Sequence, residues 1–537
     1  MTKTNQTNKT NQPSEHERVT RAAGVVGSAT LFSRILGYVR DMVIASLFGA
    51  GLVSDAFIVA FRIPNLLRRL FGEGSLSIAF VPVFTDCLNH KGRDEAEQLA
   101  LSSLRSLLVL LVLGSVMGII LTPVIVHLLA YGFTEIPEKF ALCVKLTRIM
   151  IPYSLFIGLV ALCMGILNVL GHFAAPAMAP ALLNIAMIGM VTIFAWLSPS
   201  SITRSLGLAL GVLMGGVLQL GLQVPFLIKN GIRVWRSVPF WHPDMKQVLV
   251  LMGPTLFGAA VYQINNLVIC LLGSLLPQGS VSYLYYADRL VQFPLGVFAI
   301  AMATAVFPTL SHQASMGQME ALQSSFIHAL QLVFFITLPA MVGLIVLREP
   351  IVAILFQRGA FDGQTTRLTA GALLYYGIGL WAFAAVRILI YTFYALKDTR
   401  TPVKIALGAI TANIILGTVL MQSMRHNGLA LALSLASMLH LMLLALALRK
   451  KMGAIGWRKL ARSLVRTSVC AFFMGLCVRG VAGWILPPEE IHTIGLLVGL
   501  IICIIAGIIV FGGLAFIIKA PELNFMHRLF AKRTVST

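Results

Sequence analysis

Apolar residues in this chain fall in long blocks separated by short polar breaks. Fourteen blocks can be marked, at about residues 25–50, 53–86, 99–128, 140–171, 175–197, 203–228, 246–275, 280–311, 324–347, 366–396, 402–423, 428–449, 462–486 and 493–519. Each is long enough for the ~20 apolar residues that a membrane-crossing helix needs. The pattern predicts an all-α polytopic membrane protein with about fourteen transmembrane helices. Several blocks exceed the crossing length, so tilts, bends or extensions into water are expected.

The blocks also repeat. Thr30-Leu31-Phe32 returns as Thr255-Leu256-Phe257, Pro82 returns as Pro308, and Leu170 and Pro176 return as Leu396 and Pro402. The near-constant offset predicts two six-helix lobes related by internal repeat, parallel in the membrane because six is even. Two C-terminal helices fall outside the repeat. Repeated halves are a transporter architecture. The expected organisation is a disordered cytoplasmic tail over 1–22, a first lobe over 23–235, a second over 236–450, and the last two helices with a C-terminal tail over 451–537.

Composition agrees with the pattern. Of 537 residues, 58% are hydrophobic and 11% charged, which excludes an ordinary soluble enzyme. The formal net charge of +21 would suit nucleic-acid binding. Much of it, however, sits in short loops, as the positive-inside rule predicts. Lys229, Arg233, Arg236 and Lys246 follow the sixth block, Lys397, Arg400 and Lys404 the tenth, and Arg449, Lys450 and Lys451 the twelfth. Both termini are therefore expected in the cytoplasm, and no nucleic acid is expected as a partner. Arg348, Arg358 and Arg367 stand against the rule, in a loop that should be outside. The polar start has no apolar core of a signal peptide. Seven scattered cysteines read as packing residues, and the isolated His172, His312 and His440 offer no metal site.

Charges within the apolar blocks change the picture. The first block carries Arg34, Arg40 and Asp41. An arginine at the centre of a span costs roughly 2.5–3.5 kcal/mol even on the lenient scale, and is normally turned to a partner or a wet cavity. Ser33, Gly37 and Arg40 share one helix face, and Arg34 and Arg40 lie about 120° apart. Asp41 reaches Arg34 only through bending or water, so at least one arginine should stay free. The second block carries Asp55, Arg62, Arg68, Arg69 and Glu73, with Pro64 expected to break the helix. Arg69 and Glu73 can equally form a structural ion pair. In the second half, Asp288-Arg289 falls in the region that corresponds to Arg62. A membrane protein that collects arginines in its spans most simply handles an anionic substrate.

At these residues the chain resembles a known family. Ser33-Arg34, Gly37, Arg40-Asp41, the turn Phe48-Gly49-Ala50-Gly51, Asp55-Ala56-Phe57, Pro64-Asn65-Leu66-Leu67-Arg68-Arg69, Glu73-Gly74 and Ala79-Phe80-Val81-Pro82 are similar to the MurJ (MviN) lipid II flippases of the MOP transporter superfamily. Tyr285-Tyr286-Ala287-Asp288-Arg289 and Thr401-Pro402-Val403-Lys404 fit the same family. The resemblance implies two lobes in a V, a central cationic cavity, and a hydrophobic groove by the last two helices for the lipid tail. It implies that Arg34, Arg40, Arg68 and Arg289 match required cavity arginines, with Ser33 beside them. Asp41 and Asp55 match acidic positions near the cavity and its outer gate, and Arg62, Arg69, Glu73 and Asp288 join this gating or ion-pair set. Some relatives bind sodium through carboxylates of the second lobe. Here the seventh and eleventh blocks offer only Gln263, Asn265, Asn266, Thr411 and Asn413.

The reading is therefore a transporter, not an enzyme, of the bacterial inner membrane. It would flip the undecaprenyl-pyrophosphate-linked peptidoglycan precursor by alternating access. Guanidinium groups suit a pyrophosphate because their hydrogen bonds to it are charge-assisted and often bidentate. No cofactor or metal is expected; dependence on membrane potential or a monovalent cation is left open. Partners are lipid II, membrane lipids, and cell-wall synthesis and division proteins. A flippase for another polyprenyl-linked oligosaccharide is the nearest alternative. A cation antiporter is disfavoured by the arginines, and an enzyme acting on lipid phosphates by the lack of a base or metal ligands.

Overall fold

The computed structural model describes residues 15–70, 76–453, 456–486 and 493–523, and among these there is no strand. Each of the fourteen apolar blocks falls on a helix or a consecutive pair of helices. Among the described residues, ten helical spans are long and apolar enough to cross a membrane, and an eleventh arises if one bent pair is counted as one. The helix Leu52–Leu70 of the second block carries four charges, Asp55, Arg62, Arg68 and Arg69. The seventh block lies on the single helix Met245–Ser274.

Local sequence explains where the helices deviate. The first helix, Glu15–Phe48, begins inside the stretch read as tail. Pro64 does not break the second helix, which runs from Leu52 to Leu70 with the proline inside it; the next begins at Leu76. Pro294 does disturb its helix. Ser280–Pro294 passes through a π-helical turn, Leu295–Ala299, into Ile300–Ser315, as a missing N–H permits. The tenth span bends by 42° between Gly363–Ile378 and Leu380–Ala395. A Cβ on Gly379, at this bend, would lie 2.5 Å from the Ser434 hydroxyl. That hydroxyl donates to the Tyr375 carbonyl at 2.6 Å, satisfying the backbone group beside the bend. The loop holding Arg348 and Arg358, expected outside from the basic-loop pattern, contains a short helix, Arg348–Phe356. Arg348 donates to the Ile345 carbonyl at 2.9 Å and Arg358 to the Ile354 carbonyl at 2.5 Å. Both close helix C-terminal carbonyls, a local role for two of the three arginines that stand against the expected topology.

By compactness the chain divides into two units. The first comprises Met1–Val43, Phe61–Thr122 and Lys145–Ala259, the second Ile44–Ala60, Pro123–Val144 and Ala260–Thr537. In the first, Tyr153–Val169 packs on Leu76–His90 and on Ser201–Lys229, which also pairs with Ala174–Leu197. In the second, Leu380–Ala395 packs in the same way on Ile300–Ser315 and His426–Met452, and the latter pairs with Arg400–Met424. The repeat seen in the sequence is thus a repeat of packing. The last two helices, Trp457–Ile485 and Thr493–Ile517, pack on each other and on Met319–Val346.

Candidate functional site

In the first unit the arginines are not equivalent. Arg34 is exposed, and no hydrogen bond or ion pair joins it to any described residue. Arg40, two turns on, is buried. Its Nε and Nη2 donate to one oxygen of the buried Asp41 at 3.0 and 2.7 Å, and its Nη1 donates to Asn184 Oδ1 at 3.0 Å. Asn184 in turn donates to the Ser33 carbonyl at 3.1 Å. The Arg40 guanidinium also lies 6.0 Å from the centre of the Phe61 ring. Asp41 thus pairs with its neighbour Arg40, a contact the sequence reading did not consider, and Arg34 is the arginine left without a carboxylate among the described residues, in line with the expectation that one would stay free. Adjacent helical residues diverge by about 100° at the backbone. A long arginine side chain folds back across that angle, which spacing alone does not show.

Arg62, Arg68 and Arg69 are half-buried. Arg68 donates to Asn65 Oδ1, one turn back, at 2.8 Å. Glu73 lies outside the described residues, and the Arg69–Glu73 pairing with it.

In the second unit Asp55 is 1% exposed and forms a dense lock. One carboxylate oxygen accepts from Lys139 Nζ and from the Gly279 backbone N–H, each at 2.8 Å. The other accepts from the Ser282 N–H at 2.9 Å and its hydroxyl at 2.6 Å. The carboxylate therefore caps the N-terminus of Ser280–Pro294 from a distant part of the chain, where a negative charge is favoured. Lys139 is itself buried, with its ammonium 4.1 Å from the centre of the Phe133 ring. Nothing in the sequence reading marked Lys139. It stands at a helix start among ordinary loop residues, and only the fold brings it to Asp55. Beside the lock, the Ala360 N–H donates to the Ser46 carbonyl at 2.8 Å. Gly49 has φ of +60°, and a Cβ there would overlap the Ala360 carbonyl. The Phe-Gly-Ala-Gly turn is thus a close backbone approach.

Asp288 accepts from Gln292 at 3.3 Å. The half-buried Arg289 stacks over Tyr285 at 5.6 Å, and Tyr286 behind it packs on Phe356 and Phe361. Arg387, half-buried within Leu380–Ala395, escaped the sequence reading although it carries the same signal, a guanidinium inside an apolar run. A cavity of about 350 Å³ lies along Met319–Val346 and Trp457–Ile485, lined by Leu338, Val342, Val346, Phe472 and Gly475, with Arg479 at its wall. Among the described residues no group of three or more His, Cys, Asp or Glu could hold a metal ion.

Comparison with known proteins decides the family. The model of the family described as lipid II flippase MurJ matches residues 44–487. A probable lipid II flippase MurJ of Vibrio cholerae is 38% identical over 436 residues, covering 80% of this chain and 82% of that protein. The chain belongs to the lipid II flippase MurJ family. A MurJ of Burkholderia cenocepacia is 37% identical over 85% of this chain and 90% of its own length. A solved MurJ in an inward closed conformation superposes with a TM-score of 0.75 at 28% identity, covering 92% of this chain and 98% of that one. An inward-facing multidrug MATE transporter of the MOP superfamily shares the fold, with a TM-score of 0.65 at 17% identity. The MurJ family consists of flippases, which are transporters and not enzymes. This MurJ-family chain is accordingly a polytopic membrane transporter.

Proposed function

We propose that this chain flips lipid II, the undecaprenyl-pyrophosphate-linked disaccharide-pentapeptide of peptidoglycan synthesis, from the inner to the outer leaflet of the bacterial inner membrane. Both termini would face the cytoplasm. The observation that carries the reading is Arg34, a cation in an apolar helix with no carboxylate partner among the described residues. Such a group has a reason to exist if an anion visits it. Arg34 and Arg68 would hold the pyrophosphate by partial contacts, tight enough to bind and loose enough to release, and Arg289 would offer the same anion chemistry within the second unit. Arg40, neutralised by Asp41, would hold the first helix and the Ser33 backbone in place around them. The Asp55–Lys139 lock would hold the outer side shut in one state and release in the other, which is the element alternating access requires. The apolar cavity beside Gly475 would seat part of the prenyl chain.

The direct test is binding of the purified full chain to lipid II and to an undecaprenyl pyrophosphate carrying a different oligosaccharide. Preference for lipid II by about tenfold or more, a difference of roughly 1.4 kcal/mol, is the expected result. Equal binding would move the reading to a general polyprenyl-linked oligosaccharide flippase.

Energy coupling follows from the polar residues of the second unit. Asn413 donates to Asn265 Oδ1 at 2.7 Å across two helices, so that amide oxygen is already engaged. The seventh, eleventh and twelfth blocks contain no carboxylate. We therefore propose that no tight sodium site of carboxylate type operates here, since a hard cation held only by neutral oxygens is held weakly. Flipping should persist when sodium is replaced by potassium at constant membrane potential. Loss of flipping, restored by micromolar sodium, would refute this.

A further inference from the structure

The segment between the helices Ser201–Lys229 and Met245–Ser274 entered the sequence reading only as an orientation signal. In the first unit it is a strap of turns and extended chain bound along the start of the helix Arg93–Leu129. Glu97 receives the backbone N–H of Arg233 at 2.7 Å and the guanidinium groups of Arg233 and Arg236, each at 2.7 Å. Further along, Arg105 donates to the carbonyls of Val238 and Arg236. Ser102 donates to the Pro239 carbonyl at 2.6 Å and Ser106 to that of Phe240 at 2.7 Å. Lys91 closes the far end on Asp244 at 2.7 Å. A loop held at so many points is a built surface.

Its place on the helix matters. Ser102, Arg105 and Ser106 are the last polar residues before lipid-facing surface begins at Leu108, Val109 and Leu110. The strap thus lies where water gives way to hydrocarbon. It presents Trp235, Phe240 and Trp241 outward, 68%, 54% and 51% exposed. Large aromatic side chains favour that depth, where the ring meets acyl chains and headgroups together. Charge supplies the second half of the argument. Residues 91–106 and 229–246 carry seven basic side chains against four carboxylates. The carboxylates are engaged in the clamp: Asp94 and Glu97 with the two arginines, Asp244 with Lys91, and Glu95 with His242. Lys229 and Lys246, at the two ends of the strap, are exposed and form no ion pair with any described residue.

We propose that this strap is a docking surface for anionic phospholipid headgroups of the leaflet facing the basic loops. Trp235, Phe240 and Trp241 enter the interface while Lys229 and Lys246 select negative charge. Aromatic rings set against lipid-facing helix surface, with cations at either end, match an acidic bilayer surface in both polarity and charge. The inference does not depend on which lipid-linked substrate is carried.

The test uses the full chain with Trp196, Trp381, Trp457 and Trp484 replaced by phenylalanine, so that only Trp235 and Trp241 report. The protein is placed in phosphatidylcholine vesicles containing equal fractions of chain-brominated phosphatidylglycerol or chain-brominated phosphatidylcholine. Quenching by the anionic lipid should exceed that by the zwitterionic one by about twofold or more. Lys229→Gln with Lys246→Gln, or about 0.5 M salt, should erase the difference by removing or screening the attraction. Equal quenching by the two lipids would overturn the charge selection, as would a difference untouched by the lysine substitutions. No quenching by either lipid would place the strap away from the membrane and overturn the proposal altogether.

Discussion

Lys139→Met is expected to lower thermal stability sharply and to abolish growth of cells that rely on this chain for flipping. Lys139 and Asp55 are 3% and 1% exposed and 2.8 Å apart. Removing one member of a buried pair leaves an uncompensated charge, at a cost of about 3–5 kcal/mol. The three remaining donors, the Gly279 N–H and the Ser282 N–H and hydroxyl, stabilise the Asp55 carboxylate without neutralising it. If the lock also biases the outer side closed, the same loss shifts that equilibrium by over a hundredfold. Asp55→Asn combined with Lys139→Met should recover most of the lost thermal midpoint. A neutral amide oxygen still accepts from the helix N-terminus, and no charge is stranded. The double variant should nevertheless flip poorly, because the capping interaction has lost its charge. The measurements are thermal midpoint by calorimetry and complementation of a flippase-depleted strain. An unchanged midpoint in Lys139→Met, or losses that simply add in the double variant, would show that the pair is not coupled as its geometry requires.

Arg34→Ala and Arg40→Ala should fail in different ways. Arg34 is exposed and bonded to no described residue, so alanine should leave the folding stability within about 0.5 kcal/mol of the parent. Flipping should be lost because the anion contact is gone. Arg40→Ala removes the close cationic partner of the buried Asp41 and the donor to Asn184 Oδ1, so membrane levels and midpoint should both drop. Here the cost is again about 3–5 kcal/mol, and Asp41→Asn in the same chain should return much of it. Wild-type flipping by Arg34→Ala would remove the observation on which the proposed function rests. A normal midpoint in Arg40→Ala would contradict the structural role assigned to its pair.

The sequence by itself determined the helical class, the positions of the apolar blocks and the family. Hydrophobic length and repeated landmarks are properties of the chain, and the bilayer forces them into helices because no other open structure satisfies its backbone there. It also identified the first-helix arginines and Asp55, since a charge in an apolar run is conspicuous at any depth of folding. Tertiary structure alone decided which charges are closed on partners within the protein and which stay exposed. Arg34 and Arg40 read alike in the sequence, yet one is exposed and the other closed on Asp41 and Asn184, a residue 144 positions away. Lys139 was invisible because its meaning lies in meeting Asp55 from 84 residues along the chain. The strap was read only as a row of positive charges, though Glu97 and Arg105 turn it into a defined surface. Hydrophobic burial is written in local composition, whereas ion pairing depends on distances of a few ångströms between segments that only packing brings together.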